Sequence, residues 1–189
     1  MVFSFKSMVE MKRIGREFFE RDAEQVAREL LGMILVRKLK DGRELRARIV
    51  ETEAYFGEED PASRACKKGD LRETMKLEGG RILVYGVHNN WLINFVTGKK
   101  GDAEAVLLRA LEPLNFQEKT KGPGLLTRAL EIDKMFHKKI IIDCEEIFVL
   151  DDGSQKEIEV IERFRIGVKR DLKKPMRFYI KDSKYVSKK

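Results

Sequence analysis

The dipeptide Asp41-Gly42 constrains the fold of this chain more than any other feature, because it separates two segments of strand-like sequence. Residues 33–39 precede it and residues 44–53 follow it, with apolar and charged side chains alternating from Leu45 to Ile49. Asp-Gly is a preferred loop of a tight β-hairpin. Alternation with a period of two is typical of a strand with one buried face and one solvated face. The region therefore predicts an antiparallel hairpin.

Strand-like sequence continues through most of the chain. Residues 81–85 and 91–96 predict a second hairpin with its tip at 86–90. An N-terminal helix is indicated by Asp22, a capping residue, and by Gly32, a typical terminating residue. Segment 56–80 is polar and lacks periodicity, and loops of that length are uncommon unless they carry function. The remaining predicted elements are a helix over 125–132 and strands near 105–111, 140–142, 147–150, 158–168 and 176–180.

This order of elements predicts the fold class. The chain begins with a helix, continues with many strands and one inserted helix, and ends with more strands. Because this order has no regular βαβ alternation, it indicates an α+β protein. We expect a single domain over residues 1–189 with a curved, mostly antiparallel sheet flanked by helices. The chain contains no GxGxxG and no Walker motif, so we expect no nucleotide cofactor.

Composition limits the partners. Lys and Arg number 39 against 32 Asp and Glu, a net charge of +7, which favours DNA, RNA or an anionic surface. The apolar runs 30–36 and 91–96 are far shorter than the roughly 18 residues of a membrane span. Two cysteines and two histidines are too few for a disulfide framework or a metal site. With no secretory signal visible in residues 1–13, we expect a cytoplasmic protein, associated with the nucleoid through DNA binding. Its abundant charges of both signs are typical of a thermophilic prokaryote.

Two strands carry candidate functional residues. Glu51, Glu53 and Tyr55 share one strand face and could form a pocket wall, or the glutamates could be solvated on an exposed face. Arg109 interrupts the apolar strand 105–111. A buried arginine needs an anionic partner, which a pocket glutamate would supply, whereas an arginine at a wet edge needs none.

The second hairpin is the other candidate region. This hairpin is crowded with Tyr85, His88, Asn90, Trp91 and Asn94. Polar and aromatic groups at a hairpin tip are well placed to touch a nucleic acid. The alternative is a turn that is rich in Asn and Gly for backbone reasons, with Trp91 in the core.

Five segments, in this order, closely resemble the alkyladenine (3-methyladenine) DNA glycosylase family and together span almost the whole chain. The segment VETEAY is the most specific of these matches. The segments are RIVETEAYFGEEDPAS (48–63), AVLLRALEPL (105–114), GPGLLTRALEI (122–132), RIGV (165–168) and KPMRFYIKDSKYVS (174–187).

The resemblance implies an enzyme whose fold is similar to a formyltransferase C-terminal domain. It implies a monomer without metal or cofactor that flips a damaged purine out of double-stranded DNA. Hydrolysis of the N-glycosidic bond then leaves an abasic site. The candidate lesions are 3-methyladenine, 7-methylguanine, hypoxanthine and ethenoadenine. Because the motif offers no Schiff-base lysine, the resemblance implies a monofunctional enzyme.

The resemblance also assigns roles to individual residues. Glu53 matches the general base that deprotonates the attacking water, and Arg109 matches an active-site arginine beside it. Tyr55 and Tyr85 match aromatic residues on which the flipped base stacks. Asn94 matches a pocket asparagine that rejects guanine through its exocyclic amino group.

This chain departs from the family pattern in four places. Arg64 stands where the family has histidine, which leaves the side-chain hydrogen bonds to the base open. The hairpin is about one residue shorter, so that His88 aligns with the wedge tyrosine and Val87 is the other candidate. The basic segment before Gly122 is reduced, and Leu125 replaces a lysine. These departures keep open a non-catalytic DNA- or RNA-binding protein on the same scaffold. The likeness to a formyltransferase C-terminal domain adds a translation-associated RNA-binding domain as an alternative, against which the intact VETEAY motif argues.

Overall fold

The hairpin predicted around Asp41-Gly42 is present, and its loop has three residues rather than two. In the computed structural model, which describes residues 11–189, the Leu39 amide donates to the Arg43 carbonyl at 2.8 Å and closes the loop. Gly42 has a φ of +89°. A three-residue hairpin loop needs a left-handed residue at this position, and glycine adopts that conformation without strain.

The described residues form nine strands and four α-helices, with short 3₁₀ turns between them. The strands are β1 (Lys12–Arg13), β2 (Ile34–Lys38), β3 (Glu44–Tyr55), β4 (Ile82–Val87), β5 (Asn90–Thr97), β6 (Glu104–Pro113), β7 (Ile147–Asp151), β8 (Val160–Arg163) and β9 (Arg177–Ile180). The helices are α1 (Arg16–Phe19), α2 (Ala23–Leu30), α3 (Asp70–Met75) and α4 (Pro123–Ala129).

All nine strands join one sheet in the order β1-β7-β2-β3-β6-β5-β4, with β9 also paired to β3 and β8 to β9. Every strand pair described is antiparallel. The mostly antiparallel sheet predicted from the sequence is therefore confirmed. The likeness to a formyltransferase C-terminal domain and the domain limits 1–189 stay predictions.

A β-bulge divides the long central strand β3 into two functional halves. The pairing of β3 with β6 shifts register on both sides of Glu51. The first half pairs with β2, and the second half pairs with β9 from Glu51 to Glu53. A bulge bends its strand and increases the local twist. The candidate acidic residues therefore lie on the second, redirected half of the strand.

The main hydrophobic core lies between the sheet and α2. The Asp22 side chain caps this helix by accepting hydrogen bonds from the Glu24 and Gln25 amides at 2.9 and 3.3 Å, as predicted. Val26 and Leu30 are 0% exposed, and the Thr52 hydroxyl donates to the Ala27 carbonyl of α2 at 2.8 Å. The face of β3 that bears Thr52 is thus committed to the core, which leaves its other face for the site.

Several predicted elements differ from those observed. Instead of a strand, 140–142 forms only an isolated bridge from Ile140 to Arg81. The strand expected over 158–168 is limited to β8, because the following residues turn inward to make side-chain contacts. The helix predicted over 125–132 is α4. It begins at Pro123, whose fixed φ suits a first helical turn, and ends at Ala129.

The segment 56–80 is not a continuous loop. It contains a 3₁₀ turn at Arg64–Cys66 and the helix α3, and Met75 of this helix packs with Leu83 in a second, smaller hydrophobic cluster. The 3₁₀ turn and α3 are each six residues or shorter, too short for a periodic apolar pattern to show in the sequence.

The hairpin of β4 and β5 has a two-residue tip rather than the expected five. His88 and Asn89 have φ values of +47° and +61°, as the tightest hairpin turns require. Trp91 is 37% exposed, so its alternative placement in the core is wrong.

Residues 1–10, on which the expected lack of a secretory signal largely rests, lie outside the described residues. Within residues 11–189, no helix is long and apolar enough to cross a membrane.

Candidate active site

The second half of β3 presents its acidic residues to the side of the sheet opposite α2. Glu51 and Glu53 are both 0% exposed, so the interpretation of two solvated glutamates is wrong. Arg109, on the neighbouring strand β6, is 7% exposed, which excludes an arginine on a wet edge. The fold therefore buries two carboxylates and a guanidinium together, which is costly unless the charges pair.

Both carboxylate oxygens of Glu53 have polar partners. Oε1 accepts a hydrogen bond from the Ile166 amide at 2.8 Å, and Oε2 accepts one from the Tyr55 hydroxyl at 2.7 Å. Burial raises the pKa of Glu53 above its ordinary range, while the charge of Arg109 opposes this shift. A carboxyl group with a raised pKa is suited to exchange a proton nearer to neutral pH.

Glu51 has a different environment, in which the C-terminal segment takes part. Arg177 of β9 donates to its Oε1 at 2.8 Å. The amide of Ser187 donates to its Oε2 at 2.6 Å, and the hydroxyl of Ser187 donates to Oε1 at 3.0 Å. These contacts anchor β9 and the C-terminal segment to Glu51 of β3.

Arg109 bridges the two carboxylates. Its Nε lies 3.3 Å from Glu51 Oε1, and its Nη1 lies 3.4 Å from Glu53 Oε1. Among residues 11–189, its buried Nε has no hydrogen-bond partner of good geometry. Charge rather than aligned hydrogen bonds therefore attaches the guanidinium to the glutamates.

A cavity of about 630 Å³ lies directly above this cluster, within the range of small-ligand sites. Tyr55, Leu107 and Arg109 of the sheet line the cavity, whereas the fully buried Glu53 does not. Its walls come from the segment before α3, the β4–β5 hairpin, the start of α4 and the segment after β8. These wall residues are Pro61, Ala62, Ser63, Arg64, Cys66, Lys67, Val87, His88, Asn90, Leu92, Pro123, Gly124, Ile166, Gly167, Val168, Lys169 and Arg170.

The cavity is cationic. Its lining within residues 11–189 includes no Asp or Glu but five basic side chains, which are Arg64, Lys67, Arg109, Lys169 and Arg170. A concave surface of one charge sign raises the local concentration of a ligand of opposite charge. The site therefore suits a polyanionic substrate whose reacting part reaches down to Glu53.

The four predicted base-pocket residues are placed differently. Tyr55 and Arg64 line the cavity. The Arg64 guanidinium lies 4.7 Å from the centre of the Tyr85 ring, so it covers that aromatic face. Asn94 is 2% exposed, and its side chain donates to the Leu83 carbonyl at 3.2 Å. Neither Tyr85 nor Asn94 lies in the lining described above.

Both wedge candidates lie at the mouth of the cavity. His88 is exposed and Val87 is half-buried, so the histidine projects further. The tip is braced from below, because Arg128 of α4 donates to the Asn90 side chain at 3.0 Å. Gly124 approaches Asn90 so closely that an added Cβ would lie 2.7 Å from it. This close packing fixes the position of the tip.

Two residues next to the site carry no role in the sequence interpretation. The Arg165 guanidinium lies 4.5 Å from the centre of the Tyr55 ring and pairs with Asp60 at 2.6 Å. Arg165 lies in the family-like segment RIGV, and Asp60 lies in the family-like segment RIVETEAYFGEEDPAS. No other feature of the sequence indicates a role for these two residues. Within residues 11–189, no group of acidic, His and Cys residues is arranged to hold a metal ion.

A buried carboxylate paired with arginine next to a cationic cavity is suited to acid–base chemistry on an anionic substrate. Comparison with known proteins identifies the family. A sequence model of the methylpurine-DNA glycosylase family matches residues 17–184. The chain belongs to this family of DNA repair glycosylases, which hydrolyse N-glycosyl bonds.

Similar proteins come from bacteria and an archaeon, and each carries the name "Putative 3-methyladenine DNA glycosylase". The protein of Legionella pneumophila (strain Corby) is 41% identical over 189 residues, covering 94% of this chain and 100% of that protein. The protein of Aeropyrum pernix is 42% identical over 185 residues, covering 93% of each. That of Clostridium botulinum (strain Alaska E43) is 38% identical over 203 residues, covering 93% and 99%.

Proposed function

We propose that this protein is a monofunctional glycosylase that removes alkylated or deaminated purines from double-stranded DNA and leaves an abasic site. The observation that carries the proposal is the buried Glu53–Arg109 pair, with Tyr55 hydrogen-bonded to Glu53, beneath a cationic cavity. The lesion class is that of 3-methyladenine, 7-methylguanine, hypoxanthine and ethenoadenine.

Glu53 acts as the general base in this proposal. The water oxygen forms a bond to C1′ of the deoxyribose, and its proton passes to Glu53. The C1′–N bond breaks, and its electron pair leaves with the base. Because Glu53 is outside the cavity lining and its Oε2 is bonded to the Tyr55 hydroxyl, the water takes the place of this hydroxyl when the substrate is bound. Hydrogen bonds of catalytic groups commonly rearrange in this way between the free and bound states.

The neighbouring residues support this step. Arg109 holds the carboxylate in place through its charge, and the ionised carboxylate stabilises the positive charge that develops on the sugar. Tyr55 and Tyr85, whose ring Arg64 covers, provide the aromatic surfaces on which the flipped base stacks. Asn94 rejects guanine through its exocyclic amino group.

DNA must open to deliver the base. A base within a duplex is out of reach of Glu53, so the nucleotide is extruded into the cavity. His88, with Val87 behind it, fills the vacated space in the stack. Lys67, Lys169 and Arg170 at the cavity rim contact phosphates. The protein acts as a monomer without a cofactor, in the cytoplasm of a prokaryotic cell.

Arg64 shifts the preference toward neutral lesions. Its charge lies over Tyr85 at the cavity wall, close to where a flipped base enters. Two unit charges about 4 Å apart, at an effective dielectric of about 20, repel by about 4 kcal/mol before screening. 3-Methyladenine and 7-methylguanine are cationic in DNA, whereas hypoxanthine and ethenoadenine are neutral and escape this repulsion.

Duplexes that each contain one defined lesion test the function. The protein is incubated with each duplex, and abasic sites are revealed by alkali cleavage. We expect cleavage after alkali and none before it. Strand cleavage without alkali would contradict a monofunctional enzyme, a relevant outcome because Lys67 and Lys169 line the cavity. No abasic site in any duplex, together with tight binding, would favour a non-catalytic DNA-binding protein.

A further inference from the structure

Arg165 is a buried charge that pairs with two carboxylates. Its side chain is 0% exposed, although it belongs to an irregular segment between β8 and β9. Burying a guanidinium costs hydration free energy, and paired donors offset this cost. Its partners therefore indicate what the fold gains by placing it there.

The Arg165 guanidinium donates four hydrogen bonds and makes one further short contact with a carboxylate. Nη1 and Nη2 donate to the two carboxylate oxygens of Asp60 at 2.6 and 2.7 Å. Nε donates to Asp171 at 2.8 Å, and Nη2 lies 2.6 Å from the same oxygen. Nη1 also donates to the Ala54 carbonyl of β3 at 2.9 Å. A paired two-oxygen contact of this kind fixes geometry as well as charge.

This cluster joins two walls of the cavity. Asp60 is 1% exposed and accepts hydrogen bonds from the Phe56 and Ala62 amides, each at 3.0 Å, so it shapes the turn that leads to Arg64. Asp171 ends the segment whose residues 166–170 form the opposite wall. Arg165 therefore ties both walls to each other and to β3.

The cluster also lies against the catalytic groups. The guanidinium is 4.5 Å from the centre of the Tyr55 ring, and Arg165 is absent from the lining described above, to which Tyr55 belongs. Arg165 thus packs on the Tyr55 ring without itself lining the cavity. The next residue, Ile166, donates its amide to Glu53 at 2.8 Å, so the position of Arg165 sets the position of that donor.

We propose that Arg165, held by Asp60 and Asp171, is a positioning residue for base release that keeps Tyr55 and the Ile166 amide against Glu53. The assignment rests on the function proposed above. Arg165 acts through these two neighbours and touches neither the base nor the water.

The test compares Arg165→Lys with Arg37→Lys. Lysine keeps the charge but loses the planar group that serves two carboxylates and stacks on Tyr55. Arg37 is a matched control, since Arg37 and Arg165 are each 5% exposed as whole residues. Its guanidinium donates to backbone carbonyls such as that of Leu130, and neither Arg37 nor Leu130 lines the cavity. The measurements are thermal stability and the single-turnover rate of base release across pH.

We expect Arg165→Lys to reduce the rate by about 10- to 100-fold, as small misplacements of reacting groups do. The acid limb of its pH–rate profile should move to higher pH, because the Ile166 amide favours the ionised form of Glu53. The other charged or titratable groups around Glu53 are unchanged in this variant; they are Glu51 and Tyr55 on β3, Arg109 on β6 and Arg177 on β9. Arg37→Lys should keep the wild-type rate and profile even where its stability falls equally.

A folded Arg165→Lys with a rate within twofold of wild type, or with an unmoved acid limb, would overturn the assignment. If that variant does not fold, Asp60→Asn, which leaves Asp171 to pair with Arg165, is judged by the same two measurements. Base release by the wild-type protein separates the two proposals. Its absence would refute the glycosylase function together with this assignment, whereas its presence with unaffected variants would refute only the role of Arg165.

Discussion

Replacing Glu53 with glutamine isolates the proposed proton acceptor with little change of shape. The amide oxygen can still accept from Ile166, and the Tyr55 hydroxyl can rotate to accept from the new NH₂ group. Arg109 keeps the carboxylate of Glu51 at 3.3 Å. The variant should therefore fold and bind lesion-containing DNA as the wild type does.

The loss of rate follows from what the amide cannot do. It takes no proton from water, and general base catalysis is typically worth about 10²- to 10⁴-fold. At 1.36 kcal/mol for each factor of ten, this loss equals about 3 to 5 kcal/mol of transition-state stabilisation. Burial raises the pKa of Glu53 from 4.5, and the base is active when ionised. The wild-type rate should therefore rise through an acid limb above that value, and the variant should lack this limb.

Single-turnover base release from a duplex with one hypoxanthine, measured across pH, tests this prediction, and a binding assay confirms that the DNA is still bound. Glu51→Gln is the matched control. Its carboxylate is held by Arg177 and Ser187, so we expect that variant to keep the acid limb. If Glu53→Gln releases base at the wild-type rate and Glu51→Gln does not, the roles of the two glutamates are reversed.

Three further predictions concern the hairpin tip, the cavity wall and stability. His88→Ala should weaken binding to lesion-containing duplex more than to undamaged duplex, because no side chain then fills the space left by the flipped nucleotide. Equal effects on the two duplexes would make His88 an ordinary turn residue. Arg64→His should raise the ratio of 7-methylguanine to hypoxanthine excision, whereas a uniform loss of affinity would place the arginine on a phosphate. Burial, and then the charges of Asp22 and Asp102, raise the pKa of Glu104 from 4.5 to about 7. This shift corresponds to about 3 kcal/mol of folding free energy, or about 1 to 2 kcal/mol after solvent screening of this half-buried group. Folding stability should thus fall as pH rises from 4.5 to 7, and Glu104→Gln should be more stable than wild type in urea unfolding at pH 8 but not at pH 4.5, while exposed Glu145→Gln changes neither.

Much of the sheet could be predicted from the sequence because its signals are local. The alternation from Leu45 to Ile49 and the glycine at 42 specify the first hairpin within a few residues. The Asp22 cap and the apolar spacing after it specify α2 in the same way. These patterns report which face of an element is buried, and they hold wherever the element packs.

Two predicted strands are absent or shortened because the residues that they contact are distant in the sequence. Residues 140–142 have strand-like composition, yet a single bridge to Arg81 is all the pairing that forms. Segment 164–168 leaves β8 because Arg165 turns inward to Asp60, 105 positions away. Sequence composition at one segment contains no information about such a partner.

The sequence by itself determined the antiparallel fold class, the shared face of Glu51, Glu53 and Tyr55, and the family to which the chain belongs. Each of these depends on residue order within short segments. The tertiary structure alone decided that the glutamates are buried, that Arg109 reaches both, and that Arg64 covers Tyr85. Burial and charge pairing arise when distant segments close over one sheet face, and a desolvated charge then depends on neighbours that the chain supplies from far away.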